Sequence, residues 1–184
     1  PIGPGRIVAH DLATGEERTL PGTAQLGPFH AVRADVTEHH LVLVRSSLNG
    51  NQDCSMLVID LAGPAWASLA SLANCSDVRA VRVSPDGQLV AVTYGNLHNN
   101  LELRVAVIDL GSGGVRADVR LGVYGTCAEP PCHIERPVDP LGLAWANDTA
   151  VRVALLDLKA YPGAGHYGSP IPRDAVLLDT VPVG

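Results

Sequence analysis

An Asp-Leu pair recurs at Asp11, Asp60 and Asp109, two successive intervals of 49 residues. Each pair ends an apolar run and opens a turn of small residues: RIVAHDLATGEERTL (Arg6 to Leu20), SMLVIDLAGPAWASL (Ser55 to Leu69) and LRVAVIDLGSGGVRADVRL (Leu103 to Leu121). The dipeptide alone is common. Equal spacing within matching contexts is not, and a period of about 20 to 50 residues marks a chain built from copies of one supersecondary unit.

Segments of a second kind lie between these. HAVRADVTEHHLVLVRSS (His30 to Ser47), VRAVRVSPDGQLVAVTYG (Val78 to Gly95) and LGLAWANDTAVRVALLDL (Leu141 to Leu158) each read as strand, tight turn, strand. Alternation, as in Leu89-Val90-Ala91-Val92, and β-branched content favour strands. Ser84-Pro85-Asp86-Gly87 is a turn by its chemistry: proline presets φ, and glycine accepts positive φ. The best helical window, Ala65 to Ala73, is short and falls where the repeat requires a strand. The chain is expected to be all-β.

Chained together, the segments give strands a, b, c and d of β-propeller blades, four antiparallel strands in about 40 to 50 residues. The blade parts fall at about 6–20 (c, d), 30–73, 78–121 and 141–180 (a, b, c), in a single module of 184 residues. That is about three and a half blades, and propellers close with about four or more. Open blades leave unpaired strand edges, a hazard of unwanted association. Another chain or segment is therefore expected to complete the ring.

Composition narrows the function. The net charge is −6, and Lys159 is the lone lysine among 13 basic residues. Nucleic-acid affinity comes mainly from Lys and Arg on phosphates, which argues against that class. No stretch reaches the roughly 18 apolar residues of a membrane helix. The chain opens at Pro1 within what reads as folded sequence, as after removal of a signal or at a cleavage boundary.

VSPDGQLVAVTYG followed by LRVAVIDLGSGGV resembles the repeat of the YVTN and WD40-like (PD40, TolB-type) bacterial propellers. The likeness runs over Val78 to Val115, with echoes at Arg6 to Leu20 and Ser55 to Leu61. In the last blade Ala146-Asn147-Asp148-Thr149 stands in place of the SPDG turn. The resemblance implies fold and a secreted or periplasmic setting. It implies little about activity, because propellers host enzymes, receptors and scaffolds alike.

In such a blade the a–b and c–d turns share one face, and the b–c and d–a loops share the other. The first set is tight. The second is long: Pro21 to Phe29, Ser46 to Cys54, Gly95 to Asn100, Gly122 to Pro137 and Lys159 to Arg173. Loops on a rigid scaffold carry function more often than tight turns do, so the second face is the expected interaction surface. Its candidate contacts are His98, Asn100, His133, Glu135, Arg136, Tyr161, His166 and Tyr167. Tyrosine and arginine are enriched where interfaces draw most of their energy. The same segments also read as plain connectors.

All four cysteines fall on that face. Cys54 precedes strand c and Cys75 follows strand d of one blade, side by side in an antiparallel pair. Cys127 and Cys132 flank two prolines in TCAEPPCH. Two disulfides and an oxidising compartment are expected; four free thiols is the alternative. Cys127, Cys132, His133 and Glu135 resemble half a zinc site, but a second ligand pair is missing, so no metal is expected. No GxSxG, GxGxxG, Walker or CxxCH pattern appears, so no catalytic residue and no cofactor is assigned. The repeated aspartates read as turn initiators. His10, standing where the other repeats carry Ile59 and Ile108, reads as a packed core residue.

Three functions compete: a non-catalytic binding or assembly module outside the cytoplasm, part of a propeller enzyme (lactonase-like or quinoprotein-like), and a sugar-binding propeller. An enzyme requires charged groups converging at the starts of the a strands, where His30, Asp77 and Glu135 lie. A sugar site requires exposed aromatics, and aromatics make up only 4% of the chain.

Overall fold

The structure, a computed structural model, describes residues 7–20, 30–46, 53–62, 66–75, 77–96, 102–124, 137–161 and 170–183. Thirteen strands account for most of them: β1 (Val8–His10), β2 (Glu17–Thr19), β3 (His30–Val36), β4 (His40–Ser46), β5 (Cys54–Asp60), β6 (Trp66–Leu72), β7 (Asp77–Val83), β8 (Leu89–Asn96), β9 (Glu102–Asp109), β10 (Val115–Tyr124), β11 (Pro137–Asn147), β12 (Ala150–Asp157) and β13 (Val176–Pro182). The segment weighed as a helix is β6. A 3-10 turn, Arg173–Ala175, precedes β13.

β3 to β6 form one four-stranded antiparallel blade and β7 to β10 a second. β1 and β2 supply strands c and d of a blade before them; β11, β12 and β13 supply a, b and c of one after. The last blade begins at Pro137 rather than Leu141. Its first residues are held by a short parallel bridge to the preceding blade, Val123 beside Pro137 and Tyr124 beside Val138. Inner strands β3, β7 and β11 stand next to one another.

Both faces of the second complete blade are covered, and its central strands β8 and β9 run nearly without polar breaks. On the second blade Val90, Val92, Tyr94, Ala106 and Ile108 meet Val42, Val44 and Met56 of the first. The alternate residues Ala91, Val105 and Val107 meet Val138, Val151, Val153 and Leu155 of the last. Each is 2% exposed or less, and burying one such side chain stabilises by about 1.5–3 kcal/mol.

The repeated aspartates each bind the backbone of the turn they open. Asp11 Oδ1 accepts from Ala13 and Thr14 N–H, Asp109 Oδ1 from Gly111 and Ser112 N–H, and Asp60 Oδ1 from Ala62 N–H. Four residues on, Gly15 (φ 76°) and Gly113 (φ 71°) donate back to the aspartate carbonyl. These are the left-handed positions that glycine tolerates.

His10 departs from expectation. Its position faces the preceding blade, which buries Ile59 and Ile108 (1% and 0% exposed). No strand covers β1 on that side among the described residues. The imidazole is half exposed, 3.5 Å from Glu17.

Candidate functional site

The described residues give the site three parts: the inner-strand backbone, the turn face and the open blade ends. Each inner strand carries a bulge near its start, between His30 and Val32, Val78 and Ala80, and Pro140 and Gly142. A bulge bends its strand and re-aims side chains. Around these bulges, charged groups of neighbouring blades meet.

Arg79 pairs with Asp77 at 2.6 Å. Arg33 Nε of the blade before donates to Arg79 O at 3.2 Å, and Asp35 accepts from Val83 N–H at 2.8 Å. From the blade after, Trp145 Nε1 donates to Arg82 O at 2.9 Å. Among the described residues β7 lies at the end of its sheet, and side chains of both neighbours bind its backbone there. Burial holds the Asp139 carboxyl above its ordinary value, the Arg79 charge acting the other way.

Of the residues an enzyme reading requires, the structure brings Asp77 to this cluster and adds Arg33, Arg79 and Asp139. Sequence reasoning missed the last three. The bulges that gather them disturb the alternation of the a strands, HAVRADV, VRAVRV and PVDPLG, too little to mark these residues in the sequence. The contacts made by Arg33, Asp35 and Arg79 join blades to one another.

On the turn face a cavity of about 410 Å³ opens between blades, lined by His40, Val58, Gly87, Gln88, Asp109, Leu110 and Gly111. A second of about 220 Å³ shares Gln88 and Asp109 and reaches Arg116 and Val183. Arg116, 2.6 Å from the Asp109 carboxylate, together with the Ser112 donors, holds Asp109 far below the usual carboxylate range. Its charge is thereby matched within its own turn.

Of the contacts expected from sequence, Tyr161 alone is described. Its ring packs half-buried against Leu156, Leu158 and Ala175. His98, Asn100, His133, Glu135, Arg136, His166, Tyr167, Cys127 and Cys132 lie outside the described residues, and the side chain of His30 is likewise outside description. Cys54 and Cys75 form a disulfide, with Cα atoms 5.2 Å apart. Among the described residues no helix is long and apolar enough to cross a membrane, and no three His, Cys, Asp or Glu gather as a metal site.

The blade ends expose apolar side chains. Val36, opposite Leu41 on the outward face of the first complete blade, is 61% exposed. Leu178, opposite Ala154 on the outward face of the last, is 71% exposed. The Asp-Leu repeat tells the same story: Leu61 and Leu110 pack against the preceding blade core, whereas Leu12 is 93% exposed.

Four-stranded blades around adjacent inner strands define the architecture as a partial β-propeller. Solved structures agree. The chain is similar to the β-propeller domain of the Trilobed protease from Pyrococcus furiosus, described as having an open velcro topology (TM-score 0.52, 12% identity, 95% of this chain and 44% of that one). It is also similar to Kuenenia stuttgartiensis hydrazine synthase (0.55, 18%, 97% and 56%) and to Pyrococcus horikoshii acylaminoacyl peptidase (0.53, 11%, 97% and 28%). The chain thus spans little more than half, or less, of each of these chains. At such identities the likeness is one of fold. No protein-family model and no curated protein matches the sequence.

Proposed function

We propose that the 184 residues act as one non-catalytic binding and assembly module, a propeller segment that associates through its open blade ends. The observation that carries this reading is the exposure of Val36 and Leu178 on the two outward blade faces, while their counterparts between blades, Val83 and Val105, are partly and fully buried. Apolar patches left open by a fold mark association sites. The loops of the b–c and d–a face add polar and aromatic contacts: His98, Asn100, His133, Glu135, Arg136, Tyr161, His166 and Tyr167.

The setting is extracytoplasmic. The buried Cys54–Cys75 disulfide supports it, since such bonds persist in oxidising compartments, and Cys127 with Cys132 forms a second. The bacterial YVTN and PD40 repeat is the family this segment belongs with, on the strength of its SPDG and Asp-Leu-Gly turns.

Sedimentation velocity over a concentration series tests the module. Wild type is expected to associate reversibly, and Val36→Lys or Leu178→Lys to weaken association by about tenfold or more. A chain that stays monomeric throughout, or whose association ignores both substitutions, overturns the reading.

A further inference from the structure

The cavity of about 410 Å³ on the turn face is walled by both complete blades, so it arises from packing inside the chain and not from a blade end. His40 and Val58 line it from the first blade; Gly87, Gln88, Asp109 and Leu110 line it from the second. Its volume falls within the range of about 300–1,000 Å³ usual for ligand pockets.

The lining is apolar at its base. Val58 and Leu110 are partly buried and pack against the core between the two blades. Beside them stand two hydrogen-bonding side chains. The His40 imidazole and the Gln88 side-chain amide form no hydrogen bond among the described residues. His40 begins strand b of the first blade, where the second blade has Leu89. A position that the repeat fills with an apolar side chain is here an imidazole at a cavity wall.

The surrounding charge is negative. Asp60 lies opposite His40 in the register of β4 with β5, and Asp86 precedes Gly87. Neither carboxylate joins an ion pair among the described residues. Arg116, the neighbouring cation, is matched by Asp109. Such a field draws cations and repels anions. Asp109 offers charge but no free fork: Oδ1 accepts from Gly111 N–H, Ser112 N–H and the Ser112 hydroxyl, and Oδ2 from Arg116.

We propose that this cavity takes the side chain of a lysine presented by a basic segment of a partner protein. The methylene stem lies on Val58 and Leu110, and the ammonium donates to the His40 ring nitrogen and to Gln88 Oε1. A guanidinium is best matched by a carboxylate with both oxygens open, which Asp109 lacks. An ammonium is a compact charge with three donors that single acceptors can satisfy. This chain carries one lysine, Lys159, among 13 basic residues, so the segment is assigned to a different protein. The site lies on the tight-turn face and is independent of association through the blade ends.

The probe is Nα-acetyl-lysine N-methylamide, titrated into the whole chain and followed by amide chemical shifts. Saturable shifts around His40, Gln88 and Leu110 are expected, with a Kd in the millimolar range suited to one side chain. The norleucine analogue, which keeps the stem and lacks the charge, is expected to bind about tenfold more weakly, and the arginine analogue about threefold. His40→Leu, which restores the residue of the second blade, is expected to weaken lysine binding about tenfold, and Gln88→Ala, at an exposed position, about threefold. Thermal melts read whether both variants fold.

Absence of saturable binding overturns the proposal, as do shifts spread over the acidic surface away from the cavity. Equal binding of the norleucine analogue makes the cavity merely apolar, and tighter binding of the arginine analogue reverses the choice of cation; either result overturns it. So does binding that ignores folded His40→Leu or, where that variant does not fold, Gln88→Ala. Sedimentation of His40→Leu is expected to match wild type, so failure here and failure of blade-end association are read separately.

Discussion

Tyr94 illustrates how a single residue joins core and surface. Its ring is 2% exposed within the core between the two complete blades. Its hydroxyl donates to the Asp118 carboxylate, with both oxygens at 3.1 Å. Arg104 binds the same carboxylate at 2.9 Å and Glu102 at 3.0 Å. Burial first, and the Asp118 charge second, push the Tyr94 hydroxyl up to about 12. The folded state therefore holds this proton more tightly than the unfolded chain, in which tyrosine titrates near 10. The corresponding stability is complete below about pH 10 and is lost as pH rises toward about 12. Thermal melts between those limits are expected to show a falling midpoint in wild type and a shallower fall in Tyr94→Phe; parallel slopes would refute the assignment. Sequence alone placed Tyr94 on a strand. It did not reveal Asp118, which lies 24 residues away in sequence and comes beside Tyr94 through the pairing of β9 with β10.

At the scale of elements, turn chemistry was the most legible signal. Asp11, Asp60 and Asp109 initiate turns because a short carboxylate reaches the N–H group two residues on, and at Asp11 and Asp109 also the one three residues on, a purely local geometry. The Cys54–Cys75 pair was legible for a related reason: an antiparallel blade brings the start of c beside the end of d. Both cysteines are 1% exposed, and the bond closes a loop of sequence separation 21. Converting both to serine is expected to lower unfolding stability by about 3 kcal/mol, read from the denaturant midpoint and slope together. A midpoint that did not move would mean the bond adds nothing to the blade. The inner-strand bulges were not legible. An extra residue in VRAVRV disturbs the apolar alternation little, and its position depends on how β7 meets β8.

For the molecule as a whole, equal sequence positions acquire unequal worth from their neighbours. Leu110 packs against the core between the complete blades, whereas Leu12, its counterpart in the first hairpin, is 93% exposed. Leu110→Ala is expected to cost about 2 kcal/mol and Leu12→Ala less than about 0.5 kcal/mol, measured by denaturant unfolding. Equal costs would mean that the repeat position, and not the neighbouring blade, sets the energy. His10 belongs to the same comparison: the repeat predicts a packed side chain, and with no strand over that face of β1 among the described residues the imidazole is half exposed beside Glu17.

The 49-residue repeat, the all-β class, the four-strand blade and the turn aspartates were determined by the sequence itself, because periodicity and turn chemistry act over a few residues. The tertiary structure alone decided which apolar residues are covered. It joined β10 to β11 by a parallel bridge, gathered Arg33, Asp77, Arg79 and Asp139 around the inner strands, and left Val36, Val119 and Leu178 open. Burial is a property of the facing blade, and no residue encodes its neighbour across that gap.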